Sequence, residues 1–322
     1  MRTGRWTVGV DFVGTNIKVV LVDAGGRIAR SEVFASREAS RPTTFVVRVG
    51  RAVETLSRSV GVTPSRLQGV GVGAPGPVDV RRGIIHFMVN VPGWREVPLG
   101  RLLERRLHCP CVVDNDVNLF SLGEWRFGAG RGANALVGMT LGTGVGGGLV
   151  FNGTLYRGCR GAAGELGHMV IDPRGRRCGC GRRGCFEAQV GTAAILSLGR
   201  QVIRRHGGLL RERVHQAGGR LTPELISQAA ARGDRHARAI WVGVGRRLGL
   251  GLANLVNLLN PDRIVIGGGI GNAWRWFAPT ALSMVRAEAM EVHARAVRIV
   301  RAQLGNAAGV VGAAVLVWDE TR

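Results

Sequence analysis

Runs of β-branched residues alternate along the chain with stretches whose apolar positions recur every three or four residues, the signature of strands alternating with helices. Residues 5–10 and 17–22 are β-rich runs joined by Asp11-Phe12-Val13-Gly14-Thr15-Asn16, which has the composition of a hairpin turn. The spacing over 46–60 predicts a helix with Val46, Val49, Val53, Leu56 and Val60 on one face. Residues 68–73 predict a buried strand, ending in Ala74-Pro75-Gly76-Pro77, a loop that continues neither ladder nor helix. A short helix over 99–107 and a short strand over 111–114 follow.

Past Asp116 the pattern predicts a helix over 119–126 and a strand over 134–141. Residues 142–148, Gly-Thr-Gly-Val-Gly-Gly-Gly, read as a glycine-rich turn leading into 149–151. Helical periodicity returns over 192–206, 224–231 and 234–259, the last stopped by Asn260-Pro261. A strand over 263–266 closes on Gly267-Gly268-Gly269, followed by a helix at about 279–292, a strand at about 297–302 and an apolar helix over 309–318. The alternation places the chain in the α/β class. Two glycine-bearing turns after strands, near Gly14 and Gly144, predict two similar domains facing each other across a cleft.

Composition narrows the picture. With 322 residues and 45% hydrophobic content the chain has material for about two domains and is neither disordered nor fibrous. No apolar run approaches the roughly 20 residues of a membrane helix, and the amino terminus shows no apolar signal-peptide core. The formal net charge of +22 suggests nucleic acid at first sight. Yet Lys18 is the single lysine among 44 basic residues, the other 43 being arginine, and these are scattered over every segment without interleaved aromatics. That distribution reads as a coding bias toward arginine and a solvated basic surface, with no nucleic-acid partner expected. Cys178, Cys180 and Cys185 crowd into one glycine-rich stretch while Cys109, Cys111 and Cys159 stand apart. Such CxC spacing reads as metal before disulfide, so a reducing, cytoplasmic setting is expected.

Four constellations carry candidate chemistry. Asp11 to Asn16 sets a carboxylate and a hydroxyl at a tight turn, where backbone N–H groups can hold phosphate oxygens and Asp11 can hold Mg²⁺ through water; an ordinary hairpin is the competing reading. The segment 140–148 offers glycines that let backbone approach an anion, and its spacing matches neither a Walker A loop nor a dinucleotide fingerprint. His168, Cys178, Cys180 and Cys185 form a Cys₃His set, the pattern of a closed structural zinc site. Spectator cysteines and a zinc knuckle compete with it, the knuckle without the aromatics it would use for stacking. Asn115-Asp116 follows a strand, where the carboxylate can take a hydroxyl proton as general base, and Glu165 and Glu187 flank the cysteine loop as groups able to read a polyol.

Taken together these segments resemble the ROK family of sugar kinases, within the actin-like, ribonuclease H-like superfold. The resemblance rests on Gly71-Val72-Gly73-Ala74-Pro75-Gly76-Pro77-Val78-Asp79, Asn90-Val91-Pro92-Gly93-Trp94 and Asn115-Asp116-Val117-Asn118. It extends through Gly164-Glu165-Leu166-Gly167-His168, the cysteine loop ending Gly184-Cys185-Phe186-Glu187, and Leu304-Gly305-Asn306-Ala307-Ala308-Gly309. The resemblance implies an ATP-dependent hexose kinase, glucose first, with Asp116 as the base for the sugar 6-hydroxyl. Asn90, Asn115, Glu165, His168 and Glu187 would hold the sugar, along with Gly73, and His168 would double as a zinc ligand. Asp11, Gly14, Thr15, Asn16, Lys18, Thr143 and Gly144 would bind ATP phosphates with Mg²⁺, and Gly267, Gly268 and Gly269 would line the adenosine side. It also implies a homodimer or tetramer, a small domain of residues 1–116 plus about 305–322, and a large domain of 117–304 carrying the zinc loop. Other hexoses, and a sugar-responsive repressor, are the alternatives; ROK repressors place a helix-turn-helix ahead of the first phosphate turn, which begins here at Asp11. One departure stands out: the family's first turn commonly reads Asp-x-Gly-Gly-Thr, and Val13 takes the first glycine position, which implies weaker nucleotide affinity if that residue needs positive φ.

Overall fold

The computed structural model describes residues 6–88, 91 and 93–321. The first strands are β1 (Trp6–Val13), β2 (Asn16–Asp23) and β3 (Ile28–Ala35), followed by helix α1 (Pro42–Arg58). Next come β4 (Val70–Ala74), the short strands β5 (Val78–Asp79), β6 (Ile84–Phe87) and β7 (Arg95–Val97), and α2 (Leu99–Leu107). Strand β8 (Cys111–Asn115) runs directly into α3 (Asp116–Phe127), and β9 (Ala135–Leu141), β10 (Val145–Phe151) and β11 (Thr154–Leu155) follow. Helices α4 (Phe186–Val190), α5 (Thr192–His206), α6 (Gly208–Gln216), α7 (Pro223–Ala231) and α8 (Arg235–Leu259) precede β12 (Arg263–Gly267). The chain closes with α9 (Trp274–Glu288), α10 (Glu291–Ala296), β13 (Arg298–Arg301) and α11 (Ala308–Glu320).

Two five-stranded sheets share one pattern. The first has the order β3-β2-β1-β4-β8 and the second β11-β10-β9-β12-β13, each a meander of three strands extended by two crossover strands. In the first, β1 pairs antiparallel with β2 and parallel with β4, and β4 pairs parallel with β8. A small antiparallel sheet, β5-β6-β7, completes the set. Two compact units result: Met1–Gly138 with Gly148–Gly164 and Gln303–Arg322, and Met139–Gly147 with Glu165–Ala302.

In the first unit, α1 buries Phe45, Val49, Val53 and Leu56 against the sheet. Phe12, Phe45 and Trp94 form an aromatic triad with centroid separations of 5.2–5.5 Å. The Trp94 indole donates to the Ser40 carbonyl at 2.8 Å, which satisfies the polar end of a buried ring. On the opposite face lies α11, whose residues Val310–Val317 are all buried. Gly9 and Gly71, paired in register on β1 and β4, are what let it approach: a Cβ on either would stand 1.9 Å from the carbonyl oxygen of Val310 or Ala313. In the second unit the 25-residue α8 buries Ile240, Trp241, Val244, Leu248 and Leu252.

Several elements depart from the sequence-based expectation. The segment 146–148 is not turn but strand: β10 begins at Val145, because Gly148 faces Ser121, whose Oγ would stand 2.4 Å from any Cβ there. The helix expected at about 279–292 is two helices, α9 starting five residues before Pro279 and α10 after a break at Ala289 and Met290. Strand β3, the β5-β6-β7 sheet, β11, α4 and α6 had no distinct signal. No helix among the described residues is long and apolar enough to cross a membrane.

Candidate functional site

In the first unit the strand ends at the head of the sheet present the candidate residues. Asp11, on β1, lies between Gly73 on β4 and Gly309 at the start of α11: Cβ atoms there would stand 3.6 Å from its Oδ1 and 2.7 Å from its Oδ2. Gly73 also borders Asp116, a Cβ standing 3.5 Å from the Asp116 Cα. Asp116 is the first residue of α3 and its Oδ1 accepts from the Val117 amide at 3.0 Å. The residue before it caps the helix: Asn115 Oδ1 accepts from the amides of Val117 and Asn118 at 2.9 and 3.3 Å, while its Nδ2 donates to Gly76 O at 3.2 Å. A carboxylate on the first turn of a helix sits in the favourable end of its dipole.

Burial lifts the Asp11 carboxyl from 3.8 to about 7, the Asp116 carboxylate adds to the rise, and Lys18, its cross-strand partner, works against it. Asp11 Oδ1 is buried with no hydrogen-bond partner. An orphaned carboxylate oxygen beside a second carboxylate is a set of hard oxygen donors, and a divalent cation such as Mg²⁺ fits it.

The first glycine-bearing turn is a two-residue hairpin loop, Gly14-Thr15, closed by the Val13–Asn16 pair. Positive φ is carried by Gly14, at +64°, and Val13 ends the β1 ladder, so the strain anticipated at Val13 falls on a glycine instead. Ser36 holds the loop, its Oγ donating to Gly14 O at 3.0 Å and its amide to Thr15 O at 2.8 Å. Lys18 Nζ donates to the Asn306 carbonyl at 3.4 Å. Asn90 lies outside the described residues.

The second unit gathers the cysteine loop, Glu165, Glu187 and the second turn. His168, Cys178, Cys180 and Cys185 bring one ligand atom each to within 4.8 Å of one another. Cys180 and Cys185 Sγ are 3.6 Å apart and Cys178 Sγ is 3.8 Å from His168 Nδ1. Sulfurs bound tetrahedrally at about 2.3 Å from zinc are separated by roughly 3.8 Å, so the set fits that ion. The fold makes it so: a bridge between Val170 and Cys185 and another between Arg177 and Arg183 double the loop back on itself. Hydrogen bonding from the Arg182 amide draws the Cys180 thiol below its ordinary value, toward the thiolate a metal ligand requires. Glu165 Oε2 stands 3.8 Å from His168 Nε2, on the ring edge away from the cysteines.

Glu187 follows Cys185 on α4 and touches both neighbours of the site: Oε1 lies 3.6 Å from Cys178 Sγ, and Oε2 accepts from the Val145 amide at 3.1 Å. The turn Gly142-Thr143-Gly144 is thereby fixed, since a Cβ on Gly144 would meet Glu187 Oε2 at 2.3 Å. Thr192, at the start of α5, holds the other side through its Oγ1 and amide, both donating to Gly142 O at 2.8 and 3.0 Å. Gly267 ends β12, and Gly268, at φ +82°, passes over Leu141, whose carbonyl a Cβ would meet at 2.3 Å; Gly269 faces open space.

Sequence reasoning missed Ser36, Thr192 and Glu124. The last is wholly buried, its carboxylate accepting from the amides of Ala129, Gln303 and Leu304 at 2.8, 3.1 and 2.7 Å. It fastens the chain where Gln303–Arg322 joins the first unit. A Thr opening a helix was the legible sign for Thr192; for Ser36 and Glu124, whose partners are distant in sequence, there was none.

The sequence pattern of the ROK family matches residues 7–320. A glucokinase from Halalkalibacterium halodurans is 35% identical over 98% of this chain and 96% of its own. The crystal structure of a ROK family glucokinase from Streptomyces griseus in complex with glucose and AMPPNP superposes with a TM-score of 0.82 at 34% identity, covering 98% of this chain and 99% of that one. A ROK family transcriptional regulator, homologous to the E. coli MLC protein, gives a TM-score of 0.85 at 25% identity, over 98% of this chain and 78% of that one.

Proposed function

The chain belongs to the ROK family and has its two-domain actin-like α/β fold, and we propose that it is a glucokinase, transferring the γ-phosphoryl group of ATP to the 6-hydroxyl of glucose. The observation that carries the reading is the pair of carboxylates at one end of the first sheet, Asp116 capped into the head of α3 and Asp11 buried beside it with an orphaned oxygen. The two have different tasks. Asp116, at a helix N-terminus, accepts the hydroxyl proton as the oxygen attacks. Asp11 would hold Mg²⁺, which neutralises charge on the transferring phosphoryl group when bound.

Asn115, Glu165, His168 and Glu187 are assigned to the sugar hydroxyls, with Asn90 and Gly73. Gly14, Thr15, Asn16, Lys18, Thr143 and Gly144 are assigned to the phosphates, and Gly267–Gly269 to the adenosine side. His168, Cys178, Cys180 and Cys185 would hold a structural zinc, which would fix the ring of His168 and, through Cys178, the neighbourhood of Glu187. A homo-oligomer is the proposed assembly.

ADP formation with a panel of glucose, mannose, fructose, N-acetylglucosamine and N-acetylmannosamine tests the reading. Glucose is expected to give the highest kcat/KM; another hexose ahead of it by tenfold moves the substrate assignment, and turnover of none removes the kinase. The likeness to a transcriptional regulator favours a second reading, sugar-responsive DNA binding, which the same preparation tests by glucose-sensitive retention on duplex DNA.

A further inference from the structure

Resting on the kinase reading, we infer that Arg157 is a positioning residue for the catalytic base, acting through Asp114. Asp114 is 1% exposed, and the carboxylate is enclosed by donors. Its Oδ1 accepts from the Asn115 amide at 2.6 Å and from Asn118 Nδ2 at 2.8 Å, and its Oδ2 accepts from Arg157 Nε at 2.8 Å. Among the described residues Arg157 reaches no other buried acid: its second contact is Nη2 to Glu320 Oε1 at 3.2 Å, at the end of α11. The guanidinium is thus the countercharge that makes a buried carboxylate tenable at the last turn of backbone before the base.

The consequence runs through hydrogen bonds already described. Asp114 holds Asn115 by its amide and Asn118 by its side chain; Asn115 caps α3 through Val117 and Asn118; Asp116 stands between them on that first turn. Two tethers of the base's helical turn, the Asn115 amide and the Asn118 side chain, therefore lead back to Asp114, beside the Asn115 Nδ2 contact to Gly76 O, and among the described residues Asp114 is neutralised by Arg157 alone. The same Arg157 accepts, at its carbonyl, from the Ala163 amide at 3.0 Å, two residues before Glu165. One residue thus sets the base's turn and closes the loop from which the sugar-reading segment departs. Sequence separations of 43 and 163 residues hide this from any local reading.

Arg157→Met, Asp114→Asn and the double variant test the inference against wild type, each assayed for kcat and KM per folded molecule. Arg157→Met is expected to lower kcat by on the order of 10- to 100-fold, as displacement of a catalytic group by about 1 Å does. KM for glucose should change by less than kcat, because Glu165, His168 and Glu187 are untouched and only Asn115 of the sugar-assigned residues lies on the loosened turn. The double variant should be no worse than the poorer single by more than about twofold, since the two residues act as a unit. Unchanged kcat with a lowered thermal midpoint, or losses that multiply in the double variant, would overturn the inference. Hydrogen exchange keeps this separate from the kinase reading. Protection of the Val117 and Asn118 amides is expected to fall by at least about tenfold in Arg157→Met, even if no hexose is turned over; unchanged protection would refute the positioning role whatever the activity.

Discussion

Replacing Asp11 by asparagine should stabilise the protein and inactivate it, and the size of the gain should depend on pH in a defined direction. The native carboxyl titrates near 7 against 3.8 for the free group, because burial disfavours its charge and Asp116 repels it. A rise of that size corresponds to about 4 kcal/mol, at about 1.36 kcal/mol per pH unit. The native state binds the proton more tightly than the unfolded chain, so this group's contribution to stability falls as pH rises from about 4 to about 7 and is constant beyond. An asparagine has no such titration. The stability difference between Asp11→Asn and wild type should therefore be small at pH 4 and grow by up to about 4 kcal/mol by pH 8. Urea denaturation at a series of pH values, followed through the unit that holds Asp11, reads this as a midpoint difference of about 1 M or more. Mg²⁺ with a non-hydrolysable ATP analogue should narrow the difference by stabilising only the wild type. A difference that is flat from pH 4 to 8 would refute both the buried-carboxylate argument and the assignment of Asp11 as a cation ligand.

Three further outcomes follow from the same geometry. Asp116→Asn should lower kcat by at least about 10³-fold while glucose binding, read by intrinsic fluorescence or calorimetry, stays within severalfold; retained turnover would remove Asp116 as the base. Purified protein should carry one zinc per chain by elemental analysis, and Cys180→Ser should lose the metal and weaken glucose affinity by about 10-fold or more through His168; full sugar affinity in metal-free protein would separate the cysteine loop from the sugar site. Gly71→Ala forces a methyl group to within 1.9 Å of the Ala313 carbonyl, so α11 must shift, and a loss of about 3 kcal/mol or more is expected by denaturant titration; a loss under 1 kcal/mol would mean that α11 packs elsewhere.

Local physics was legible in the sequence and long-range physics was not. Helices α2 and α5 occupy the predicted 99–107 and 192–206, since amphipathic spacing with no interior proline leaves little choice. The start of α9 was misplaced because Pro279 reads as a first-turn residue, whereas the helix opens at Trp274 and accommodates it in the second turn. Gly146-Gly147-Gly148 read as a turn because nothing local reveals that Ser121, on α3, demands a residue without a side chain at 148. The same divide holds for the site. Each glycine-bearing turn, the Cys₃His set and the Asn115-Asp116 pair are contiguous or nearly so, and the family resemblance could attach to them. Arg157 and Glu124 have no motif, and their long-range partners, like that of Thr192, lie 43 to 180 positions away.

Glu187 shows why such contacts change the functional argument as well as the inventory. As a motif residue it is a carboxylate proposed to read sugar hydroxyls; in the fold it is also a strut, with one oxygen near Cys178 Sγ and the other accepting from the Val145 amide. Its place after Cys185 at the start of α4 is fixed by the cysteine loop, so the loop's order is transmitted by one side chain to the Gly142–Gly144 turn. A metal bound to the four ligands would therefore tune two things at once, the ring of His168 and the backbone of the turn proposed to hold phosphate. Removing it should raise KM for ATP together with KM for glucose, in contrast to a change at Glu165, proposed to touch the sugar only, whose contact in the same unit is His168 alone among the side chains described. Glu165→Gln should then move KM for glucose while leaving KM for ATP within about twofold. If metal removal left KM for ATP untouched, the strut through Glu187 would be structural decoration and the two turns would be organised independently.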